Sequence, residues 1–326
     1  MTKSLELWHV SYKESELRES PLEKPEPDDL VIESVFSMVS PGTERIVSLG
    51  NVPEEVGENM RVPYMKGFFS FPCTYGYSLV GMVMQGSDEM MGQLVHVMHP
   101  HKSVVTIKKD LVFPVPGFIP AKRAALASNL ETAINAIWDS GLSAGDKVLV
   151  VGFGIIGALV AMLIKRFPGV DLLVLEKEQE RAKKAEELGL RVLSTSKRIG
   201  NNYDIAFNTS GSGRGLQTCL DVLGFEGKVI ELSWFGSDAV NLKLGHGFHY
   251  NRKQIISSQV SNIPSSKSNR WNYQRRKELV FKLLKDDVFD QLITLEVPFS
   301  NAPSFFKKLR NEEIPDIGIV FSYCYV

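Results

Sequence analysis

The residues whose types and spacing can do chemistry are three glycines in Gly152-Phe-Gly154-Ile-Ile-Gly157, an acid at Glu176, and scattered tyrosines, histidines and carboxylates. The glycines follow the β-branched run Lys147-Val-Leu-Val-Val151 and lead into an apolar stretch of helical character, residues 158–166. Each has a mechanical reason to be there. Gly152 permits a tight turn, Gly154 lets a pyrophosphate approach the backbone N–H groups of Ile155 and Ile156 at the helix start, and Gly157 lets helix and strand pack closely. Glu176 closes the next apolar run, residues 172–175, where a carboxylate accepts hydrogen bonds from the adenosine ribose hydroxyls and repels a 2′-phosphate. The pattern predicts dinucleotide binding with NAD favoured. Lys177 and Arg181 pull the other way, since a cation there can hold a 2′-phosphate, and this leaves NADP open.

Two further turns follow apolar strands: Asn208-Thr-Ser210-Gly after residues 205–207, and Ser233-Trp234-Phe-Gly after residues 229–232. Both are expected at the carboxyl edge of a parallel sheet, where ligands bind, which makes Asn208, Ser210 and Trp234 candidates for lining the nicotinamide half of a site. The glycines at 211–215 lack the lysine and spacing of a phosphate loop and read as a turn. His96, His99 and His101 end a β-run, but strand alternation turns His96 and His99 to different faces, so the reading is a polar loop at the mouth of a cleft rather than a metal site. His246 and His249 precede the last strand of the sheet and have the right chemistry for proton transfer; Arg275-Arg-Lys277 reads as a solvated helix face.

The elements that must position these groups can be read from the rest of the chain. At 326 residues the length suggests two domains, and 44% hydrophobic residues suffice for a core. With 37 Lys+Arg against 38 Asp+Glu the net charge is −1, which argues against nucleic acid or an anionic membrane as partner and leaves a small-molecule substrate. The N-terminal residues include Glu6, Trp8 and His9 in place of an apolar leader, and the three cysteines are widely separated, so the expected compartment is the reducing cytoplasm. Residues 148–164 carry no charge, yet the glycines cut them into strand, turn and helix and exclude a membrane span. Short β-rich runs at 30–36, 78–84, 94–98 and 103–107 predict a small barrel or sandwich. From residue 119 helical runs alternate with apolar strands, which predicts an α/β doubly wound parallel Rossmann sheet. A strand at 254–260, a polar linker at 262–269, a helix at 274–285, a strand near Ile293, a helix near Phe305 and a strand at 317–325 complete the chain. The expected division is residues 1–118 with 266–326 in a discontinuous barrel-like domain, and 119–265 in the dinucleotide-binding domain.

An all-β start, a glycine fingerprint near position 150 and a returning tail resemble the medium-chain dehydrogenase/reductase superfamily. Gly141-Leu-Ser-Ala-Gly-Asp-Lys-Val-Leu-Val150 looks like the segment that introduces its nucleotide domain. Gly76-Tyr-Ser-Leu-Val-Gly81 resembles its Gly-His-Glu motif with His and Glu replaced, and Ser40-Pro-Gly-Thr-Glu44 resembles its Cys-x-Thr-Asp motif without the cysteine. The resemblance implies a barrel-like domain of the GroES-like kind. In zinc-dependent members three segments supply Cys, His and Cys; the matching positions here are Pro41, Tyr77 and Ser128, a poor donor set, and four clustered cysteines for a structural zinc are lacking. The motifs are similar to a zinc-free subgroup that includes bacteriochlorophyllide hydroxyethyl dehydrogenase-like proteins. With no zinc implied, side chains must polarise the substrate oxygen. Tyr77, Glu44, Glu131 and His249 are the candidates, with Asn129 and Thr132 beside the nicotinamide. The expectation is a zinc-independent oxidoreductase, a homodimer by resemblance, passing hydride between NAD and a small alcohol or carbonyl in the cleft. The rivals are an NADPH-dependent quinone or enone reductase and a cofactor-binding sensor or subunit without turnover.

Overall fold

The computed structural model describes residues 3–195 and 199–323. In chain order its strands are β1 (Lys3–Ser11), β2 (Glu14–Pro21), β3 (Asp29–Val39), β4 (Leu79–Gln85), β5 (Leu94–Val97), β6 (Val104–Lys108), β7 (Phe113–Pro114), β8 (Lys147–Val151), β9 (Asp171–Leu175), β10 (Val192–Leu193), β11 (Tyr203–Asn208), β12 (Leu223–Glu231), β13 (Gln254–Ser257), β14 (Ile293–Pro298) and β15 (Gly318–Ser322). Residues 324 and 325 of the expected last strand, Cys324 among them, lie outside the described residues.

The chain divides into two compact units: residues 1–128, 277–314 and 318–326 in one, residues 129–276 and 315–317 in the other. These limits lie about ten residues from the boundaries read in the sequence, and two buried arginines account for the difference. Arg123 donates through Nε to Asp290 Oδ1 at 2.7 Å and through its other nitrogens to Asp290 Oδ2 and the carbonyls of Leu284 and Lys285, which ties helix Ala121–Ala124 to the first unit. Arg276 donates to Glu131, Asn135 and the Val260 carbonyl, so helix Tyr273–Leu283 begins in the second. The basic run at 275–277 is therefore not a solvated face: Arg276 and Lys277 are both buried.

The second unit is a six-stranded parallel sheet in the order β10-β9-β8-β11-β12-β13. Numbered from β8 this is 3-2-1-4-5-6, the doubly wound order, whose reversal point falls between β8 and β11. β8 is central and buried along Val148–Val151, which is why it reads as an unbroken apolar run. Helix Ile155–Ile164 is buried at nearly every position and so is apolar all round. Among the described residues no helix is long and apolar enough to cross a membrane.

The first unit is built on a mixed seven-stranded sheet, β14-β15-β3-β4-β5-β7 with β6 also on β3. The eleven-residue β3 makes this possible by sharing its edge: Asp29–Glu33 pairs with β6 and residues 36–39 with β15. The returning tail thus joins the first sheet, as a terminal strand must. Leu30, Ile32, Leu79, Val95, Val97, Val105 and Ile107 form one core, in which each buried side chain contributes roughly 1.5–3 kcal/mol. The β1–β2 hairpin, absent from the sequence reading, buries Leu7 in a second core against helix Ala302–Arg310.

Candidate functional site

In the parallel unit, the turn after β8 is shaped as its glycines require. Gly152 has φ +96°, and its N–H donates to the Leu175 carbonyl at 2.8 Å. A Cβ on Gly157 would stand 2.1 Å from the Gly152 carbonyl oxygen and 2.5 Å from Thr209 Oγ1, so only glycine fits. Around Gly154, by contrast, nothing lies within 4 Å of where a Cβ would be. Gly154 caps helix Ile155–Ile164 without a side chain, which leaves the first N–H groups of that helix for an external acceptor. Ile155 is buried and Ile156 half-buried, so the contribution of both at this turn is through the backbone.

Glu176 follows β9 and is buried beside this turn. Its Oε2 accepts from Phe153 N at 2.5 Å and its Oε1 from Glu178 N at 2.7 Å, which aims the carboxylate at the glycine turn. Lys177 is exposed. Arg181 points elsewhere: its guanidinium donates to the carbonyls of Pro315 at 2.6 Å and Asp316 at 3.1 Å.

Across the reversal point, Thr209 Oγ1 donates to the carbonyls of Val151 and Gly152, both at 3.0 Å, which locks the turn after β11 against the glycine turn. Asn208 is buried; its Oδ1 accepts from Ser210 Oγ at 2.7 Å while its Nδ2 donates to Glu231 Oε2 at 2.8 Å. Glu231 Oε1 accepts from Ser233 N at 2.7 Å. Burial raises the Glu231 carboxyl above its usual range, partly offset by the Asn208 and Ser233 donors. Ser210 is exposed and Trp234 half-buried. The sequence reading missed Glu231 and Thr209; the signal for Glu231 was an acid closing the apolar pair Val229-Ile230 at the end of β12.

In the mixed-sheet unit, Pro41 opens helix Pro41–Ser48, a position that suits proline because the first helical N–H has no partner. Tyr77 is half-buried. Burial pushes its phenol up to about 12, while hydrogen bonds from the Ser40 and Thr43 side chains partly counter this. Ser128 Oγ donates to the Tyr77 carbonyl at 2.9 Å. Glu44 is fully buried and committed elsewhere: Oε1 accepts from Ser40 N at 2.8 Å, and Oε2 meets His101 Nε2 at 2.9 Å. His101 Nδ1 continues to Ser37 Oγ at 2.7 Å, and Ser37 to Tyr323. Glu44 is thus a strut within the unit and not a group presented to a substrate.

Two further expectations are corrected. His96, His99 and His101 do not form a polar loop at a cleft mouth, since all three are buried. They face separate partners: His96 Nε2 meets Ser78 Oγ at 3.0 Å, and His99 Nδ1 meets the Pro100 carbonyl at 2.8 Å. Among the described residues no group of three or more His, Cys, Asp or Glu is placed to hold a metal ion. His249 is exposed on helix Gly247–Tyr250, just before β13 begins, with His246 capping that helix. In a parallel sheet this is the amino edge, opposite the glycine turn, so His249 does not reach the site. Glu131 is buried in the second unit, paired with Arg276 at 3.2 Å; Thr132, one residue on, is half-buried.

No protein-family model matches the chain. It is 31% identical over 139 residues to (R,R)-butanediol dehydrogenase of Bacillus subtilis (strain 168), covering 40% of each chain. It is 26% identical over 218 residues to D-guloside 3-dehydrogenase of Shigella flexneri, covering 61% of this chain and 62% of that one. It is 24% identical over 281 residues, 82% of this chain and 76% of the other, to an uncharacterized zinc-type alcohol dehydrogenase-like protein of Haemophilus influenzae (strain ATCC 51907 / DSM 11121 / KW20 / Rd). The matches to the first two span less than two thirds of those relatives' length. Among solved structures, 2R,3R-butanediol dehydrogenase from Bacillus subtilis superposes with a TM-score of 0.78 at 20% identity over 98% of this chain and 100% of that one. Acetophenone reductase from Geotrichum candidum NBRC 4597, in complex with NAD, superposes at 0.77 with 16% identity over 99% of this chain and 98% of that one.

A doubly wound parallel sheet with a glycine turn, and a mixed-sheet unit that the chain enters first and returns to last, define a two-unit α/β fold. The sequence matches are to alcohol and polyol dehydrogenases and the fold is that of solved dehydrogenases.

Proposed function

We propose that this protein is an oxidoreductase that passes hydride between NAD and a small alcohol or carbonyl compound without a catalytic zinc. The observation that carries the reading is the buried Glu176 carboxylate, bonded to Phe153 N beside the open Gly154 position. The residues fit a nicotinamide dinucleotide: a Cβ-free approach over Gly154, free N–H groups at the helix start, and an acid at the ribose position. Arg181, turned onto the Pro315 and Asp316 carbonyls, supports NAD over NADP. Names among the relatives include a zinc-type enzyme, but Pro41, Tyr77 and Ser128 do not form a zinc donor set, so no step is assigned to a metal.

When bound, the nicotinamide supplies or accepts the hydride. The chain's part is to bind and to move a proton. The N–H groups of Ile155 and Ile156 take the pyrophosphate, Glu176 accepts from the ribose hydroxyls, and Asn208, Ser210, Trp234 and Thr132 line the nicotinamide half. Tyr77 is the proton donor to a carbonyl substrate: its phenol is protonated at neutral pH, and Ser40 and Thr43 orient its oxygen. The outer position of β13 in the parallel sheet, with Ile255 exposed on it, supports a homodimer paired along that strand. The test is a titration of metal-stripped protein with NADH and, separately, NADPH, followed by energy transfer from its four tryptophans. Tighter NADH binding is expected. Tighter NADPH binding turns the reading to a quinone or enone reductase, and binding of neither overturns it.

A further inference from the structure

The strand order lays a dinucleotide out along the carboxyl edge of the parallel sheet. Glu176 fixes the ribose end over β9 and the glycine turn fixes the pyrophosphate over β8, so the remaining half must run over β11 and β12. At the ends of those two strands the side chains are joined by one carboxylate. Glu231 accepts from Asn208 Nδ2 at 2.8 Å with one oxygen and from Ser233 N at 2.7 Å with the other, clamping the turn after β11 to the turn after β12.

The clamp has a direction. With its Nδ2 held by Glu231, Asn208 must present Oδ1 to Ser210, whose hydroxyl donates to it at 2.7 Å and whose N–H lies at 3.3 Å. Ser210, though exposed, lies close against two glycines: a Cβ on Gly152 would stand 3.0 Å from Ser210 Cα, and one on Gly215 would stand 2.1 Å from Ser210 Oγ. Ser233 Oγ accepts from Gly211 N at 3.0 Å, a second tie between the same two turns. Without the carboxylate, Asn208 is free to flip its amide and both turns lose their common anchor.

We infer that Glu231 is the positioning residue for the nicotinamide half of the cofactor, acting through Asn208 and Ser233 on the turns that receive it. The inference rests on the dinucleotide reading above and deepens it. A residue needed only for folding would weaken every ligand of the sheet edge together. A residue that positions the β11 and β12 turns weakens NADH and spares ADP, which ends over β8 and β9.

The test measures the dissociation constants of NADH and ADP for the wild type, Glu231→Gln and Glu231→Ala, with a melting curve for each. In Glu231→Gln one oxygen is kept and one acceptor is lost, so that variant carries the test if the alanine variant does not fold. The expected result is NADH binding weakened about tenfold, the size of one lost charge-assisted hydrogen bond, with ADP binding within about twofold of wild type. NADH and ADP weakened equally, or NADH unchanged, overturns the assignment. Wild-type protein that binds neither NADH nor ADP overturns the dinucleotide reading itself, a failure distinct from one seen only in the variants.

Discussion

The two units differ in what they bury. In the parallel unit the candidate binding surface is made chiefly from backbone: glycines with space counted in tenths of an ångström, free N–H groups, and two acids that hold backbone groups in place. In the mixed-sheet unit the polar interior is made from titratable side chains that satisfy one another, as in the run Glu44, His101, Ser37 and Tyr323, or Glu6 between Lys66 and Lys102. A backbone-built site tolerates changes of pH but not of volume. An interior of ionisable side chains is expected to behave in the opposite way.

Acidification is the strongest test of that contrast. Burial lowers His9 to about 3 and His99 to about 4 from an ordinary 6.5, and holds His96 well below its ordinary value. A group whose folded pKa is depressed binds fewer protons in the native state, so stability falls as pH drops below about 6.5 and goes on falling toward the folded values. The loss is about 2 kcal/mol for each histidine by pH 5. Burial alone would raise Glu6, but Lys102 and Lys66 hold it down at about 2, so its contribution is present above the usual carboxylate range and disappears between about 4.5 and 2. Hydrogen exchange from pH 7 to 5 should therefore show β1, β3, β5 and β15 losing protection before β8 and β11. Simultaneous loss would break the comparison.

The second test is catalytic. Tyr77→Phe is expected to lower turnover by about 10²–10⁴, the usual scale for a general acid, with the NADH dissociation constant unchanged. Turnover near wild type would remove Tyr77 from the chemistry. Third, volume should matter in the parallel unit: Gly157→Ala forces a Cβ against backbone and is expected to cost about 3 kcal/mol in denaturant unfolding. Gly154→Ala, with open space around it, should leave unfolding unchanged and weaken NADH by roughly tenfold through the lost approach of the pyrophosphate. The smallest effect concerns the edge of that sheet: Ile255→Lys should shift sedimentation toward a monomer with little change in cofactor affinity.

The same contrast explains what was legible in the sequence. The glycine turn, Glu176 and five of the six parallel strands could be read because each depends on local spacing and on continuous apolar runs such as Val148–Val151, whereas the two-residue β10 has no such run. The β1–β2 hairpin could not, since β2 reads Glu-Ser-Glu-Leu-Arg-Glu-Ser-Pro and owes its place to β1 and to helix Ala302–Arg310, far along the chain. His96, His99 and His101 looked like a polar loop because burial is a tertiary property: the partner of His101 is Glu44, 57 residues away. His249 was misplaced because its chemistry was weighed without its position: a residue that precedes a strand of a parallel sheet lies at the amino edge, and β13 runs parallel to β12. Glu231 was overlooked because its role exists only once β11 and β12 are neighbours.

One consequence of the Glu176 geometry can be put as a count of lone pairs. A carboxylate offers about four acceptor positions, and here the N–H groups of Phe153 and Glu178 take two. The two that remain equal the hydroxyls of an unmodified adenosine ribose, each with one hydrogen to give. A ribose whose 2′-oxygen carries a phosphate brings one hydrogen fewer and several acceptors more to a carboxylate that has only acceptors to offer. Discrimination of this kind needs no steric barrier, and it would be erased by an amide, which turns part of the same surface from acceptor to donor.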